Sequence, residues 1–325
     1  MRVLISGASG LVGTEVAAQL RAAGHEPIRL VRRKSVSQDE VEWNPSTGYL
    51  TPGVIETVDA VVNLAGATTG KIPWTSTYKK EIIQSRLDST KTLVDAMQNT
   101  KKRPKVFVSG SASGIYGDRG DDLLTENEPK GKGFLSDLAY QWEQEALKAP
   151  ADVRVVLVRT TMVMSRTLGA LGRLLPLIKL GIGGPLGKGK QWWAWISLKD
   201  EAAAIIHLIN TESASGAFNL TAPEFATCKD VVDSLGKALH RPTILAVPSF
   251  ALKLLLGEAA TELLLCSQKM SADRLVASGF KFQHPTLKQG ADWVVSKNVG
   301  LCCNTCAYTL FLTSTVIRSP NQLTV

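Results

Sequence analysis

The chain has 325 residues, 44% hydrophobic and 20% charged, which is room for one large domain or two ordinary ones and a balance that excludes wholesale disorder. Its 37 Lys and Arg against 29 Asp and Glu give a formal charge of +8, pointing toward an anionic ligand. The basic residues are scattered, and the densest cluster, Lys101-Lys102-Arg103, has no interleaved aromatics, so a nucleic-acid partner is not expected. Five cysteines are too few for a disulfide framework in a chain this long. No charged n-region followed by a long apolar run opens the sequence, and the expectation is a cytoplasmic protein.

Arg2-Val-Leu-Ile-Ser6 reads as a buried strand, and Gly7-Ala-Ser-Gly10-Leu-Val-Gly13 follows at once. Val16, Ala17 and Leu20 then recur at helical spacing until Gly24. Strand, glycine turn and helix together suit a pyrophosphate: glycines let the backbone approach it, and the open N–H groups and positive end of the helix stabilise its charge. The next strand is predicted over residues 27–34. No acid lies between Arg29 and Lys34 to bind ribose hydroxyls; Arg32 and Arg33 stand there instead. Guanidinium forks suit a 2′-phosphate, which favours NADP(H) over NAD(H); two solvated arginines on a loop are the alternative.

Further strands are predicted over 59–66, 105–110 and 153–159, each a continuous apolar run of the kind buried on both faces of a parallel sheet. A helix over 77–98 carries Ile82, Ile83, Leu87, Leu93 and Val94, and another holds Trp142, Glu143 and Ala146. The pattern is β-α-β throughout, an α/β chain with a doubly wound parallel sheet.

These residues resemble the extended short-chain dehydrogenase/reductase superfamily, whose Gly-x-x-Gly-x-x-Gly fingerprint matches Gly7, Gly10 and Gly13. Asn63-Leu-Ala-Gly66, Lys80-Glu-Ile-Ile-Gln-Ser-Arg86, Ser111-Ala-Ser-Gly-Ile-Tyr-Gly117, Trp142-Glu143 and Gly183-Gly-Pro-Leu-Gly-Lys-Gly-Lys-Gln191 narrow the resemblance to its atypical branch, the epimerase-family or nucleoside-diphosphate-sugar-epimerase-like proteins. The resemblance extends to about residue 296. It implies a Rossmann NADP-binding domain over 1–165, completed by 193–222, and a smaller C-terminal substrate region over 166–192 and 223–296. By matching positions, Gly7, Gly10, Leu11, Val12, Arg32, Leu64, Ala65, Glu81 and Arg86 line the NADP(H) site, with Gly13, Arg33 and Gly66 beside them.

Superfamily enzymes usually pair a catalytic Tyr with a Lys four residues later. The five tyrosines, Tyr49, Tyr78, Tyr116, Tyr140 and Tyr308, are followed at that distance by Gly53, Ile82, Gly120, Gln144 and Leu312, so the pair is absent. In the helix that should carry it, Leu135 and Ala139 take the two places. Ser111 remains as a hydroxyl to orient a substrate, with Tyr116 close by in the following loop. Their bland readings are a loop-satisfying Ser and a locally packed Tyr. The leading function is an NADP(H)-dependent oxidoreductase on an unknown carbonyl or alcohol. The alternatives are a sugar-nucleotide epimerase and a non-catalytic NADP(H)-dependent regulatory or binding protein.

The four histidines lie in no metal-ligand spacing, and no nucleophile elbow is present, so neither a metal nor a serine hydrolase is expected. Trp192, Trp193 and Trp195 follow a loop holding Lys188 and Lys190; they read equally as a substrate wall or as core. The family pattern stops near Lys297. The 297–325 tail, uncharged from Asn298 to Ile317 yet rich in Thr and Ser, is expected to be poorly ordered rather than a membrane span.

Overall fold

Apolar runs without polar alternation have to be covered on both faces, and the chain meets that demand with helices on each side of one sheet. The computed structural model describes residues 1–166 and 169–296; the expectations for the 297–325 tail lie outside the described residues. The chain runs β1 (Arg2–Ser6), α1 (Leu11–Ala22), β2 (Glu26–Val31), β3 (Glu40–Asn44), β4 (Tyr49–Leu50), β5 (Ala60–Asn63), α2 (Ser76–Gln98) and β6 (Val106–Ala112). It continues through β7 (Leu123–Leu124), α3 (Phe134–Ala146), β8 (Arg154–Thr160), β9 (Met162–Met164), α4 (Gly169–Lys179), β10 (Trp195–Ser197), α5 (Leu198–Asn210) and β11 (Gly216–Leu220). The C-terminal part holds α6 (Cys228–Leu239), α7 (Ser249–Leu256), β12 (Lys269–Met270), α8 (Asp273–Ala277) and α9 (Leu287–Val295).

Eight strands form the main sheet in the order β11-β8-β6-β5-β1-β2-β3-β4, parallel except for the antiparallel β3–β4 edge. This is a Rossmann-like sheet. From β1 the chain builds outward through β2 and β3, then crosses to β5, β6 and β8 on the other side. The order reverses between β1 and β5, and the crevice beyond their carboxyl ends is where such sheets bind ligands. Ser6 pairs with Asn63 at that edge.

The period of two divides the strands between two cores. Val3, Ile5, Val62, Val108 and Val158 pack against Val16, Leu20 and Ile205 of α1 and α5. Leu4, Val61, Phe107 and Leu157 face the other way, against Leu93 and Met97 of α2. A third core lies off the sheet, where Trp195, Leu171, Ile178, Val231, Leu235 and Ala291 bring together β10, α4, α6 and α9. α6 is well specified locally: Thr227 and Asp230 form a capping box, and its apolar stripe faces that core.

β2 stops at Val31, three residues short of the sequence expectation, because Arg33 folds back onto Glu40 of β3. The β3–β4 edge was not foreseen. Its short strands alternate apolar residues with charges and lean on β2 for register. Trp193 and Trp195 settle into the off-sheet core, while Trp192, on the opposite side, donates to Asp121 at 2.7 Å and lies under the Lys269 ammonium. The core reading therefore holds for two of the three tryptophans.

Candidate functional site

The glycine turn is built as the spacing requires. Gly7 has φ +67°, and a Cβ there would lie 2.6 Å from the Leu64 carbonyl oxygen; one on Gly13 would lie 2.3 Å from the Gly7 oxygen. Neither position admits a side chain. Gly10 is the N-cap of α1, so no side chain caps the helix, and its first turn carries no acid. The N–H groups opening α1, at Leu11, Val12 and Gly13, are the orphan donors of a helix start. Ser6 fixes the neighbouring turn, accepting from the backbone N–H of Leu64 and Ala65 at 3.1 and 3.2 Å and donating to Asn63 at 2.5 Å.

Arg86 of α2 lies against Gly66. Its guanidinium donates to the carbonyls of Ala67 and Ile82 at 2.9 and 3.0 Å and sits over the Trp142 ring. Among the described residues it forms no salt bridge, and burial pulls it down to about 10. A half-buried cation that pairs with no carboxylate among the described residues leaves charge for an anionic ligand to meet. Trp142 is itself held, donating to Thr90, which also accepts from Asn63. Glu81 of α2 is exposed, with no ion pair among the described residues.

The structure separates the two arginines after β2. Arg33 grips the buried Glu40 carboxylate with both terminal nitrogens, at 2.8 and 2.7 Å. Arg32 is exposed and forms no hydrogen bond or ion pair among the described residues, so of the two it is the guanidinium open to a ligand.

On the other side of the crevice, Ser111 at the end of β6 is almost fully buried and donates to Glu143 Oε1 at 2.6 Å. Glu143 is clasped by Arg159, Nε to Oε1 at 2.8 Å and Nη2 to Oε2 at 3.0 Å. Arg159 Nη1 also donates to the Tyr116 hydroxyl at 2.8 Å, and that hydroxyl donates to Asn219 Oδ1 at 2.7 Å. Asn219 completes the chain by donating to the carbonyls of Leu124 and Ser271. Tyr116 has no exposed surface, and burial pushes its phenol up to about 12. As placed, its hydroxyl is closed within the core and does not face the crevice. Leu135 and Ala139, where a Tyr/Lys pair would stand, are buried core residues.

One buried carboxyl has no such partner. Glu201 in the first half of α5 accepts from Thr160 at 2.7 Å through Oε1, while Oε2 has no hydrogen bond, and burial pushes it up to about 8.

The family model of the NAD dependent epimerase/dehydratase family matches residues 3–221. The chain belongs to that family. A second model, of a domain of unknown function, matches residues 247–294. Within the epimerase family, the chain is 38% identical over 296 residues to an epimerase family protein of Mycobacterium leprae, covering 91% of this chain and 96% of that one. It is 36% identical over 304 residues to the chloroplastic epimerase family protein SDR39U1 homolog of Arabidopsis thaliana, covering 89% and 85%. Among solved structures it is similar to the human epimerase family protein SDR39U1 (isoform 2) with NADPH. That match has a TM-score of 0.84 at 30% identity and covers 90% of this chain and 99% of that one.

Sequence reasoning singled out the glycines, Ser111 and Arg86, but not that Arg86 has no carboxylate partner among the described residues. It gave Glu143, Arg159 and Asn219 no role of their own and passed over Glu201. The available signal was a charged residue inside an apolar strand, Arg159 in β8, and an acid within the apolar pattern of α5. Among the described residues no cluster of metal-ligating side chains occurs, and no helix is long and apolar enough to cross a membrane.

Proposed function

We propose that this epimerase-family protein binds NADP(H) and uses it as an oxidoreductase on a small carbonyl or alcohol substrate. Arg86 carries the reading: a half-buried guanidinium with no carboxylate partner among the described residues, at the crevice edge shared with the uncapped start of α1, fits the charge of a dinucleotide phosphate. Gly7, Gly10, Gly13, Leu11 and Val12 would supply the turn and its N–H donors, and Leu64, Ala65 and Gly66 the neighbouring wall. Arg32 would take the 2′-phosphate, and the human relative crystallised with NADPH supports that choice. Arg33 is less suited because Glu40 already holds its fork. Glu81, exposed on α2 and without an ion pair among the described residues, would be open to accept from a ligand hydroxyl. The segments 166–192 and 223–296 would shape the substrate side, and the free Cys228 and Cys266 suit a reducing, cytoplasmic setting.

When bound, the dinucleotide supplies or takes hydride at nicotinamide C4. Ser111 donates its proton to Glu143, so its lone pairs are left to accept the hydrogen of a substrate hydroxyl. In the oxidative direction the substrate proton passes to Ser111 as the Ser111 proton passes to Glu143, with Arg159 holding the carboxyl in place. Tyr116 acts only by positioning Arg159.

A second reading, a non-catalytic NADP(H)-dependent binding protein, draws support from the near-complete burial of Ser111 and Glu143. Incubation with NADPH deuterated on each C4 face and a metabolite extract separates the two. Label transferred to a metabolite establishes net hydride transfer; NADPH binding without transfer on the same preparation leaves the binding protein, or an epimerase that returns its hydride.

A further inference from the structure

Two stretches of the C-terminal part, residues 177–190 and 241–257, contain no acidic residue, yet carry Lys179, Lys188, Lys190, Arg241 and Lys253. The fold joins them into one face. Arg241 Nε donates to the Lys179 carbonyl at 3.0 Å, the Val247 N–H to Pro185 at 2.9 Å, and the Gly187 N–H to Val247 at 2.8 Å. All five cations are exposed, and none forms a salt bridge among the described residues. Two acids that border these stretches are already engaged: Asp233, which accepts from Thr243, with Lys229, and Glu258 with Lys79.

The same face displays large apolar side chains. Leu180 is 73% exposed, Ile244 81%, Phe250 75%, Leu254 84% and Leu255 73%. Phe250 and Leu254 are one helical turn apart on α7, whose one buried residue is Leu252. Large apolar side chains exposed together on hydrogen-bonded neighbouring segments mark an interaction surface.

We propose that this face docks on the surface of an anionic lipid bilayer, with the apolar tips entering the headgroup boundary and the five cations meeting lipid phosphates and carboxylates. A second copy of the chain fits less well, because a two-fold interface sets the patch against itself and brings like charges together. An acidic helical peptide needs a groove to lie in, whereas side chains exposed to this degree project outward and suit a deformable surface. The docking is peripheral and independent of the cofactor reading.

The test is co-sedimentation of the full chain with vesicles of phosphatidylcholine, with and without phosphatidylserine, over a range of salt. The expected result is binding to the phosphatidylserine vesicles that falls as salt rises. Phe250→Ser/Leu254→Ser weakens it by more than about tenfold and Lys253→Glu by roughly fivefold or more, with far-UV circular dichroism and melting unchanged. Because these variants keep the 297–325 tail, undiminished binding by the double variant overturns the proposal. So does equal, salt-insensitive binding to phosphatidylcholine alone. A chain that binds no vesicle but elutes as a dimer, and as a monomer once Phe250 and Leu254 are replaced, overturns it in favour of self-association.

Discussion

The two sides of the crevice are finished in opposite ways. Around Ser111 every polar group closes on another: hydroxyl to carboxylate, carboxylate to guanidinium, guanidinium to phenol, phenol to amide. Around the glycine turn positive charge is left without a counter-charge: an uncapped helix start, Arg86 with no carboxylate partner among the described residues, and Arg32 exposed at the end of β2. Closed networks hold a fold in one arrangement, whereas open donors need a ligand to complete them. Ser111 stands at the border of the two, with its proton committed and its lone pairs available.

The largest effect should come from opening the closed side. Glu143→Gln leaves the buried Arg159 cation without its counter-charge, and should lower stability by about 3–5 kcal/mol in chemical denaturation while NADPH affinity stays within about twofold of the unmodified chain. A small stability change would mean that the network is not what holds β6, β8 and α3 together. Arg86→Met should do the reverse. Losing charge-assisted hydrogen bonds to phosphate should weaken NADPH binding by about 1.5–3 kcal/mol, roughly ten- to a hundredfold by titration calorimetry, with little loss of stability. Unchanged affinity would remove Arg86 from the cofactor site.

Glu201 is a buried group belonging to neither pattern. Its carboxyl stays neutral in the folded chain up to about pH 8 but ionises near 4.5 when unfolded. The unfolded state therefore binds fewer protons between those values. Stability from this group is full below the lower value and is lost as pH rises toward the upper one, at no more than about 1.4 kcal/mol per pH unit. Glu201→Gln should remove that decline, read as denaturation midpoints that vary less with pH across the window; parallel profiles for both proteins would show that the carboxyl does not titrate as placed. The smallest effect is expected at the end of β2. Arg32→Ala should weaken NADPH by roughly tenfold, about 1.4 kcal/mol, and leave NADH unchanged. Arg33→Ala should leave the preference between the two cofactors as it was, since Glu40 and not the ligand holds that side chain.

Much of the fold was legible because its signals are local. The apolar runs of β1, β5, β6 and β8 and the helical spacing of α1 and α2 lie within a few residues of one another, and the strand, glycine turn and helix are contiguous. The β3–β4 edge was missed because its strands are short and interrupted by charges, and pair only through the register that β2 imposes. For the site, Gly7, Gly10 and Gly13 announced themselves by spacing, but the two arginines after β2 read alike. Only Glu40, seven residues beyond Arg33, distinguishes them.

By itself the sequence determined the order of β1, β2, β5, β6 and β8 with α1, α2 and α3, the glycine turn, the family and the absence of a Tyr-x-x-x-Lys pair, since each depends on residue identity at short spacing. Tertiary structure alone decided which charges are paired. Tyr116 meets Asn219 across 103 residues, and Ser111 meets Glu143 across 32; contacts of that range exist only once the sheet has set β6, β8 and β11 side by side. It also decided that Arg86 goes without a carboxylate partner among the described residues and that Leu180 and Ile244 are left exposed. Whether a polar or apolar group is satisfied depends on everything packed around it.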